Sequence, residues 1–133
     1  MLKIKTKIGV SKTHGIGLFA DQYIPKGTVT WQYTPDFDLT FEETSLNALP
    51  EVAKATMLHY SYFDKDLGKY VTPIDDLRFI NHTEDVAKVN ITSTPKEDVA
   101  THDIQIGEEL FCNYNSFDSQ YFDRVGILKD QLL

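Results

Sequence analysis

Apolar residues alternate with lysines at the start of the chain, which is the period-two pattern of a strand with one buried face. The face opposite the lysines comprises Leu2, Ile4, Thr6, Ile8 and Val10. A turn over 13–15 leads into a second short strand at 16–20. A further turn precedes a third strand over 28–33, which places Val29, Trp31 and Tyr33 on one face.

The rest of the chain predicts two short helices, a series of short strands and a final helix. Thr40 and Glu43 have the spacing of a capping box, which predicts a helix over 41–48, and Pro50 can open another over 51–58. The predicted strands are 60–63, 69–72, 78–80, 87–94, 97–101 and 109–113. Residues 118–128 can form a helix whose apolar side is made of Tyr121, Phe122, Val125 and Leu128. Many short strands joined by turns predict a mostly β domain with small helices.

The composition is that of one soluble, globular domain. A chain of 133 residues, 41% hydrophobic and 12% aromatic, is long enough to bury a single core. Its one cysteine, Cys112, excludes an internal disulfide framework and a zinc cluster built of thiolates. The first residues lack the apolar segment of a signal peptide, and no stretch approaches the ~20 apolar residues of a membrane span. We therefore expect a cytoplasmic protein that neither enters a membrane nor needs a metal.

Negative charge is spread unevenly along the chain. The formal net charge is −7, and residues 1–12 carry four lysines and no acid. The remaining residues therefore hold nine basic and twenty acidic groups, a net charge of −11. Such a surface repels nucleic-acid phosphates and attracts cationic partners such as a lysine-rich polypeptide. An acidic surface also keeps many small cytosolic proteins soluble, so the charge supports a basic partner without identifying one.

A glycine turn, His14-Gly15-Ile16-Gly17, lies between two predicted strands. A glycine loop that cradles a dinucleotide or a phosphate would lead into a helix, so this position argues against both. The glycines allow main-chain groups to approach a ligand closely. Taken alone, the same residues also suit a tight hairpin that needs positive φ angles.

Two further motifs follow, Arg78-Phe79-Ile80-Asn81-His82-Thr83 and then Gly107-Glu108-Glu109-Leu110-Phe111-Cys112-Asn113-Tyr114. Together with the glycine turn and Ile24-Pro25-Lys26-Gly27, and in this order, they resemble the SET-domain protein-lysine methyltransferases, which use S-adenosylmethionine (SAM). The resemblance implies a SET-domain (β-clip-like) fold in which the C-terminal segment passes beneath a preceding loop as a pseudoknot. The SET domain would cover 1–115, and 116–133 would be a C-terminal helical lid segment of the same single domain.

The resemblance places SAM at the glycine turn and at the Asn-His pair. In the family, the main chain of the turn holds the amino-acid end of SAM, which makes contacts of His14, Gly15, Ile16 and Gly17. Asn81 and His82 would bond the amino and adenine groups of the cofactor, and Phe117 would lie over it. From the residues alone, a histidine that follows a buried strand is more often structural.

Tyr114 matches the tyrosine that the family places next to the methyl-transfer centre, and we expect it to be catalytic. Methyl transfer from a sulfonium to an amine is an in-line displacement that needs a neutral amine. A free lysine, with a pKa of about 10.4, is deprotonated only to about one part in a thousand near neutral pH. A dry aromatic channel lowers that pKa, and a tyrosine hydroxyl orients the amine. Without the flanking motif, Tyr114 would be a tyrosine that closes a strand edge.

The same resemblance assigns the channel for the substrate lysine to Tyr60, Tyr62 and Cys112. The two tyrosines fall where the family keeps a tyrosine-rich strand, and strand alternation would put both rings on one face. Cys112 lies two residues before Tyr114, where a tyrosine in relatives limits the number of methyl groups transferred. Its small side chain predicts progression to di- or trimethyl-lysine. Core packing is the rival explanation for all three residues.

The chain lacks the cysteine-zinc cluster with which many relatives close the site. Phe117 and the helix that carries Tyr121 and Phe122 would then form the lid, unless a partner chain supplies it. The short, minimal form is similar to stand-alone viral and bacterial SET proteins. The viral example is a dimer, so a homodimer is one assembly that the resemblance allows.

Two departures from the family pattern keep a second function open. Thr83-Glu84-Asp85-Val86-Ala87 replaces the usual Ser-Cys-x-Pro-Asn, and Thr34-Pro35-Asp36 stands where Gly-Glu is usual. One hypothesis is a SAM-dependent protein-lysine N-methyltransferase that acts on a basic protein or peptide such as a histone tail. The other is a non-catalytic SET-like module that binds a peptide or SAM. Retention of Tyr114 favours the enzyme, and a histone substrate would place it in a nucleus, including that of a host, rather than in the cytoplasm.

Overall fold

Short strands and small helices alternate through residues 1–126, the part of the chain that this computed structural model describes. The strands are β1 Thr6–Val10, β2 Ile16–Ala20, β3 Val29–Gln32, β4 Leu39–Phe41, β5 Tyr62–Asp64, β6 Lys69–Thr72, β7 Asn81–His82, β8 Ile91–Ser93, β9 Glu97–Ala100 and β10 Phe111–Cys112. The helices are α1 Glu43–Asn47, α2 Glu51–Tyr60 and α3 Tyr121–Val125, with 3₁₀ turns at Asp76–Phe79 and Tyr114–Ser116. The predicted mostly β class with small helices is confirmed.

The strands of this region form small sheets with the orders β1-β2, β3-β9-β8, β4-β6-β5 and β7-β10. Pairing is antiparallel in the first three sheets and parallel in the last. A sheet of two or three short strands cannot cover a core alone, so the apolar faces of several sheets meet in one core. Its most deeply buried large side chains include Leu18, Ile24, Trp31, Ile91, Ile104 and Leu110.

The parallel pair β7–β10 brings two distant sequence motifs side by side. Asn81 lies opposite Phe111, and His82 lies opposite Cys112. Asn90 holds the last strand in place, since its Oδ1 accepts the Phe111 N–H at 2.8 Å. The residue pair at the end of one motif is thereby fixed next to the residues that lead into Tyr114.

The first strand is shorter and more exposed than its alternation predicts. Leu2 and Ile4 pack against the core, but regular pairing begins at Thr6, and Ile8 and Val10 are 47% and 87% exposed. β1 pairs with β2 alone, and at its far end Val10 faces Ile16, which is itself 52% exposed. Alternation therefore identified a strand correctly but assigned a buried face to the end of a hairpin that extends beyond the core.

The predicted capping box at Thr40 and Glu43 is wrong. Thr40 belongs to β4, because residues 39–41 pair with β6 and the Phe41 ring stacks on Tyr70 at 5.6 Å. Glu42 is the N-cap of α1 and makes no side-chain capping hydrogen bond. Strand pairing and ring stacking outweighed the local capping preference.

Other predicted elements differ in type or length, and the strands predicted over 87–94 and 109–113 are shortened to β8 and β10. Residues 78–80 are not a strand, because Asp75 accepts the Leu77 N–H and caps a 3₁₀ turn. Tyr60 ends α2 instead of opening a strand, so it does not alternate with Tyr62 on one strand. The helix predicted over 118–128 begins at residue 121, and its last two predicted residues, 127 and 128, lie outside the described residues. No helix within residues 1–126 is long and apolar enough to cross a lipid bilayer.

Candidate active site

Tyr114 lies at the start of the 3₁₀ turn that follows β10 and is held at both ends. Its main-chain N–H donates to Nδ1 of His82 at 3.0 Å, and its hydroxyl donates to the carbonyl of Ile80. The ring packs edge-on against Tyr121 at 5.2 Å and stacks on Phe122 at 5.9 Å. Burial raises the pKa of Tyr114 well above its ordinary value of 10, so at neutral pH it is a neutral phenol that donates one hydrogen bond and can accept others.

Two cavities meet at this tyrosine. The first has a volume of about 70 Å³ and the second about 190 Å³. The residues that line both are His59, Tyr60, Arg78, Ile80, Tyr114 and Tyr121. The two cavities therefore share a wall, of which Tyr114 is part.

The glycine turn forms one side of the second cavity. His14, Gly15 and Ile16 line it, and Gly15 has a φ of 48°, a left-handed conformation that favours glycine. Asn81 holds this turn, since its Nδ2 donates to the His14 carbonyl at 2.9 Å and to the Ile16 carbonyl at 3.3 Å. Gly17 does not line the cavity. Of the four turn residues expected at the cofactor, the structure brings three together.

Gly17 has a different role, which the sequence analysis missed together with its partner Glu109. A Cβ on Gly17 would lie 2.6 Å from Oε2 of Glu109, so any larger residue would displace this carboxylate. The Glu109 carboxylate accepts the Ser11 hydroxyl at 2.8 Å and Nδ2 of Asn81 at 3.1 Å. It therefore ties the turn to the Asn-His pair and to the segment leading into Tyr114. A glutamate just before an apolar strand was the available sequence clue.

Basic side chains line the second cavity, and Arg78 among them carries a positive charge. His14, His59 and Arg78 all line it, and the pKa of His59 is lowered by burial and then by the nearby His14. The Arg78 guanidinium lies 4.9 Å from the centre of the Phe79 ring and has no ion pair within the described residues. The sequence did not identify His59, Arg78 and Phe79 as site residues, although Arg78 and Phe79 lie inside the motif that contains Asn81 and His82.

All the predicted substrate-channel residues line the first cavity. Tyr62 is buried, and its hydroxyl donates to the Pro95 carbonyl at 2.6 Å. Tyr60 reaches the cavity from the end of α2, and Cys112, 1% exposed, reaches it from β10. Phe117 lies in the same wall, 5.5 Å from the Tyr62 ring, and does not line the second cavity where we expected it. Aromatic rings thus enclose a narrow apolar channel.

Helix α3 covers the junction of the cavities from one side. The Tyr121 hydroxyl donates to the His59 carbonyl at 2.6 Å, which joins α3 to α2. Arg124 forms an ion pair with Asp118 at 2.7 Å, and Asp118 also accepts the Phe63 N–H. These contacts place the Tyr121 ring in the wall of both cavities. Within residues 1–126, no cluster of three or more histidine, cysteine, aspartate or glutamate side chains could hold a metal ion.

A comparison with known families agrees with this geometry. Residues 15–115 match the family model of the SET domain. The chain belongs to the SET-domain family. The predicted SET fold is thereby confirmed. No curated protein is detectably similar to the chain in sequence.

Solved SET-domain structures share the fold. The polycomb repressive complex 2 of Chaetomium thermophilum aligns with 26% identity and a TM-score of 0.62 over 84% of this chain. A ctPRC2 structure, autoinhibited and bound to S-adenosylmethionine, aligns with 22% identity and a TM-score of 0.63 over 92% of the chain. The chain spans only 15% and 16% of those two chains. A Plasmodium falciparum protein provisionally named a histone methyltransferase aligns with 18% identity and a TM-score of 0.60, covering 85% of this chain and 95% of that one.

Proposed function

We propose that this SET protein is a SAM-dependent protein-lysine N-methyltransferase that acts on a basic protein or peptide such as a histone tail. The observation that supports it best is the meeting of two different cavities at Tyr114. The wider cavity has polar walls with positive charge, and the narrower one is aromatic. A methyl donor and a lysine side chain need such a pair of sites, joined only where the methyl group passes.

The second cavity fits SAM. The Arg78 guanidinium, which has no ion pair within residues 1–126, can bind the carboxylate of the cofactor. Carbonyl oxygens of the glycine turn can accept hydrogen bonds from its ammonium group. Nδ2 of Asn81 already donates hydrogen bonds to protein oxygens. Asn81 would therefore contact the cofactor through its oxygen atoms, as a hydrogen-bond acceptor. SAM, when bound, supplies an electrophilic methyl group on a sulfonium.

The first cavity prepares the attacking amine. Aromatic rings of Tyr60, Tyr62 and Phe117 accommodate the aliphatic stem of a lysine and exclude water. Loss of hydration penalises the ammonium, which lowers the pKa of the lysine. The Tyr114 hydroxyl donates to the Ile80 carbonyl, and its oxygen can accept an N–H from the amine and so orient the nitrogen lone pair. The same rings stabilise the methylated cation after transfer.

The acidic surface and the related structures support a basic substrate. The net charge of −7 favours cationic polypeptides over nucleic acid. One polycomb structure that aligns with this chain at 25% identity is a complex with H3K27me3 and H3K27M. Action on a histone would take the protein into a nucleus, and action on another basic protein would suit the cytoplasm. A second copy of the chain could complete the lid over α3.

Transfer from tritium-labelled SAM to core histones, or to the proteins of a cell lysate, tests the proposal. We expect label on lysines of a basic acceptor. Tyr114→Phe is the matched control because it removes only the hydroxyl. Tight SAM binding by the wild-type protein without transfer to any acceptor would refute the enzyme and favour the non-catalytic module.

A further inference from the structure

Three polar side chains lie together in the wall of the aromatic channel. Asp98 on β9 stands opposite Trp31 on β3 and opposite Ser93 on β8. Directly opposed residues on neighbouring strands project to the same face of a sheet. All three line the first cavity, where Tyr114 and Cys112 also lie. The channel is therefore not uniformly apolar.

These three residues are buried, and two of them carry an unsatisfied polar atom. Asp98 and Ser93 are each 4% exposed and Trp31 is 1% exposed. Within the described residues, neither Nε1 of Trp31 nor Oγ of Ser93 has a hydrogen-bond partner, and Asp98 forms no ion pair. The Ser93 hydroxyl is near enough to lower the pKa of Asp98, but it makes no hydrogen bond of normal geometry. Buried groups of this kind are rare in folded proteins and call for a partner such as water, an ion or a ligand.

A cationic ligand with N–H donors matches the two acceptors of this set, Asp98 and Ser93, but not the Trp31 N–H, which is itself only a donor. The carboxylate can only accept hydrogen bonds when it is ionised, and the serine hydroxyl can accept as well as donate. Lys96, the nearest basic residue in sequence, is bonded to Asp64 at 2.6 Å and so does not neutralise Asp98. The amine of a substrate lysine that enters the channel brings both a positive charge and up to three N–H donors.

We propose that Asp98 binds the ammonium of the substrate lysine and accepts its proton before methyl transfer. One N–H bond breaks, one O–H bond forms on the carboxyl, and the electron pair stays on nitrogen, so the net charge of the pair is unchanged. The inference rests on the proposed function, since it needs a lysine in the channel. It makes Asp98 a catalytic base in addition to Tyr114.

The surroundings of the carboxyl favour this transfer. Burial costs the ammonium and the carboxylate far more hydration energy than it costs the neutral amine and carboxylic acid, so it narrows the gap in pKa between the lysine and Asp98. Burial also raises the pKa of Asp98 from 3.8 to about 7, which makes it a better proton acceptor than an exposed aspartate. Burial raises the pKa of the Cys112 thiol, so this neighbour stays protonated.

Other titratable or charged groups line the cavity or affect the pKa of Asp98, and their titration must be distinguished from that of Asp98. They are His59, Tyr60, Tyr62, Arg78, Glu97, Cys112, Tyr114, Tyr121 and the amino group of Met1. Burial raises the pKa of Tyr62, Tyr114 and Tyr121, so these phenols stay neutral. Burial, and then the nearby His14, lower the pKa of His59 from its ordinary value of 6.5. A measurement made on the Asp98 carboxyl itself distinguishes it from His59.

The test compares wild type with Asp98→Asn across pH, using labelled SAM and core histones or lysate proteins as acceptors. Asn keeps the shape but cannot take a proton. We expect kcat to fall ~100-fold or more at pH 7.5, and the loss to shrink below about tenfold at pH 9.5, because lysine then supplies neutral amine itself. Asp38→Asn, the same change at a buried carboxyl outside both cavities, should behave as wild type.

Two further measurements keep the outcomes distinct. Calorimetry should show unchanged SAM affinity in Asp98→Asn, and carbon-13 NMR of the Asp98 carboxyl in the wild-type protein should show titration well above 3.8. An Asp98→Asn enzyme with wild-type rates, or one with an equal loss at every pH, would overturn the inference and leave the proposed function standing. A carboxyl that titrates near 3.8 would also overturn it. Absence of transfer by the wild-type protein would instead overturn the proposed function, and the inference with it.

Discussion

Replacing Asp98 with asparagine should stabilise the fold at neutral and alkaline pH. The folded-state pKa of Asp98 is raised by burial from 3.8 to about 7. Between these values the unfolded chain has lost the proton that the folded chain still holds, so wild-type stability falls as pH rises and then stays constant above about 7. An amide at this position does not titrate, so the variant should lack this fall.

The size of the effect follows from the same values. A rise from 3.8 to about 7 corresponds to roughly 4 kcal/mol at ~1.36 kcal/mol per pKa unit. The Ser93 hydroxyl can accept one N–H of the new amide, and the other N–H is left without a partner, which costs about 1–3 kcal/mol. The net gain above pH 7 is therefore on the order of 1–3 kcal/mol. For a chain of this length that corresponds to a melting temperature about 5–10 °C higher.

Urea unfolding followed by circular dichroism at pH 4 to 8.5 measures this directly. The free energies of unfolding of wild type and Asp98→Asn should diverge between about pH 4 and 7. Asp38→Asn is the control, because Asp38 accepts the Thr34 N–H at 2.9 Å and its loss should not stabilise the fold at any pH. Parallel curves for wild type and Asp98→Asn would show that Asp98 is not desolvated and would remove the physical basis of its proposed role.

Four further predictions concern the site. Tyr114→Phe should fold and bind SAM but lose methyl transfer about 100-fold or more, since one preorganised polar group at a reacting centre is worth roughly 2–4 kcal/mol; full activity would make Tyr114 structural. Asn81→Ala should weaken SAM binding strongly in calorimetry, because it also releases the glycine turn; unchanged affinity would remove Asn81 from the site. Wild type should proceed to di- or trimethyl-lysine in mass spectrometry, and Cys112→Tyr should shift the product toward monomethyl-lysine by holding a water that a methyl group cannot replace. Cys112→Phe, which lacks the hydroxyl, is its control, and a wild-type enzyme that stops at monomethyl-lysine would contradict the idea. Elemental analysis should find no stoichiometric zinc, and activity should survive a chelator.

Local patterns in the sequence predicted the elements whose partners are near in the chain. β2 was found at its observed bounds, because a turn and a short apolar run specify it without help from the rest of the fold. Tyr60 was misplaced because its residue type suits a strand, whereas the structure continues α2 through it. Thr40 was misassigned because its pairing with Val71 in β6 depends on residues some thirty positions later.

The candidate site followed the same division. Tyr114 and the Asn-His pair could be identified from motifs, but a motif does not show how deeply a side chain is buried or which way it points. Asp98 escaped notice because its role depends on the register of three strands, β3, β9 and β8. Glu109 was not predicted because its carboxylate packs against Gly17, a residue far away in the sequence. Residues whose function depends on a pairing register cannot be recognised before that register is known.

The hydrogen bond between Ser11 and Glu109 closes a loop of nearly the whole domain, because its ends are 98 positions apart. The cofactor cavity cannot form from one local segment, because Glu109 joins it to residues near the start of the chain and to Asn81 in the middle. Contacts of this range form late, after the entropy of loop closure has been overcome. During synthesis, a nascent chain that ends before residue 109 cannot yet carry the site. The ability to bind SAM should therefore appear only with completion of the fold, which makes SAM retention a report on the last stage of folding.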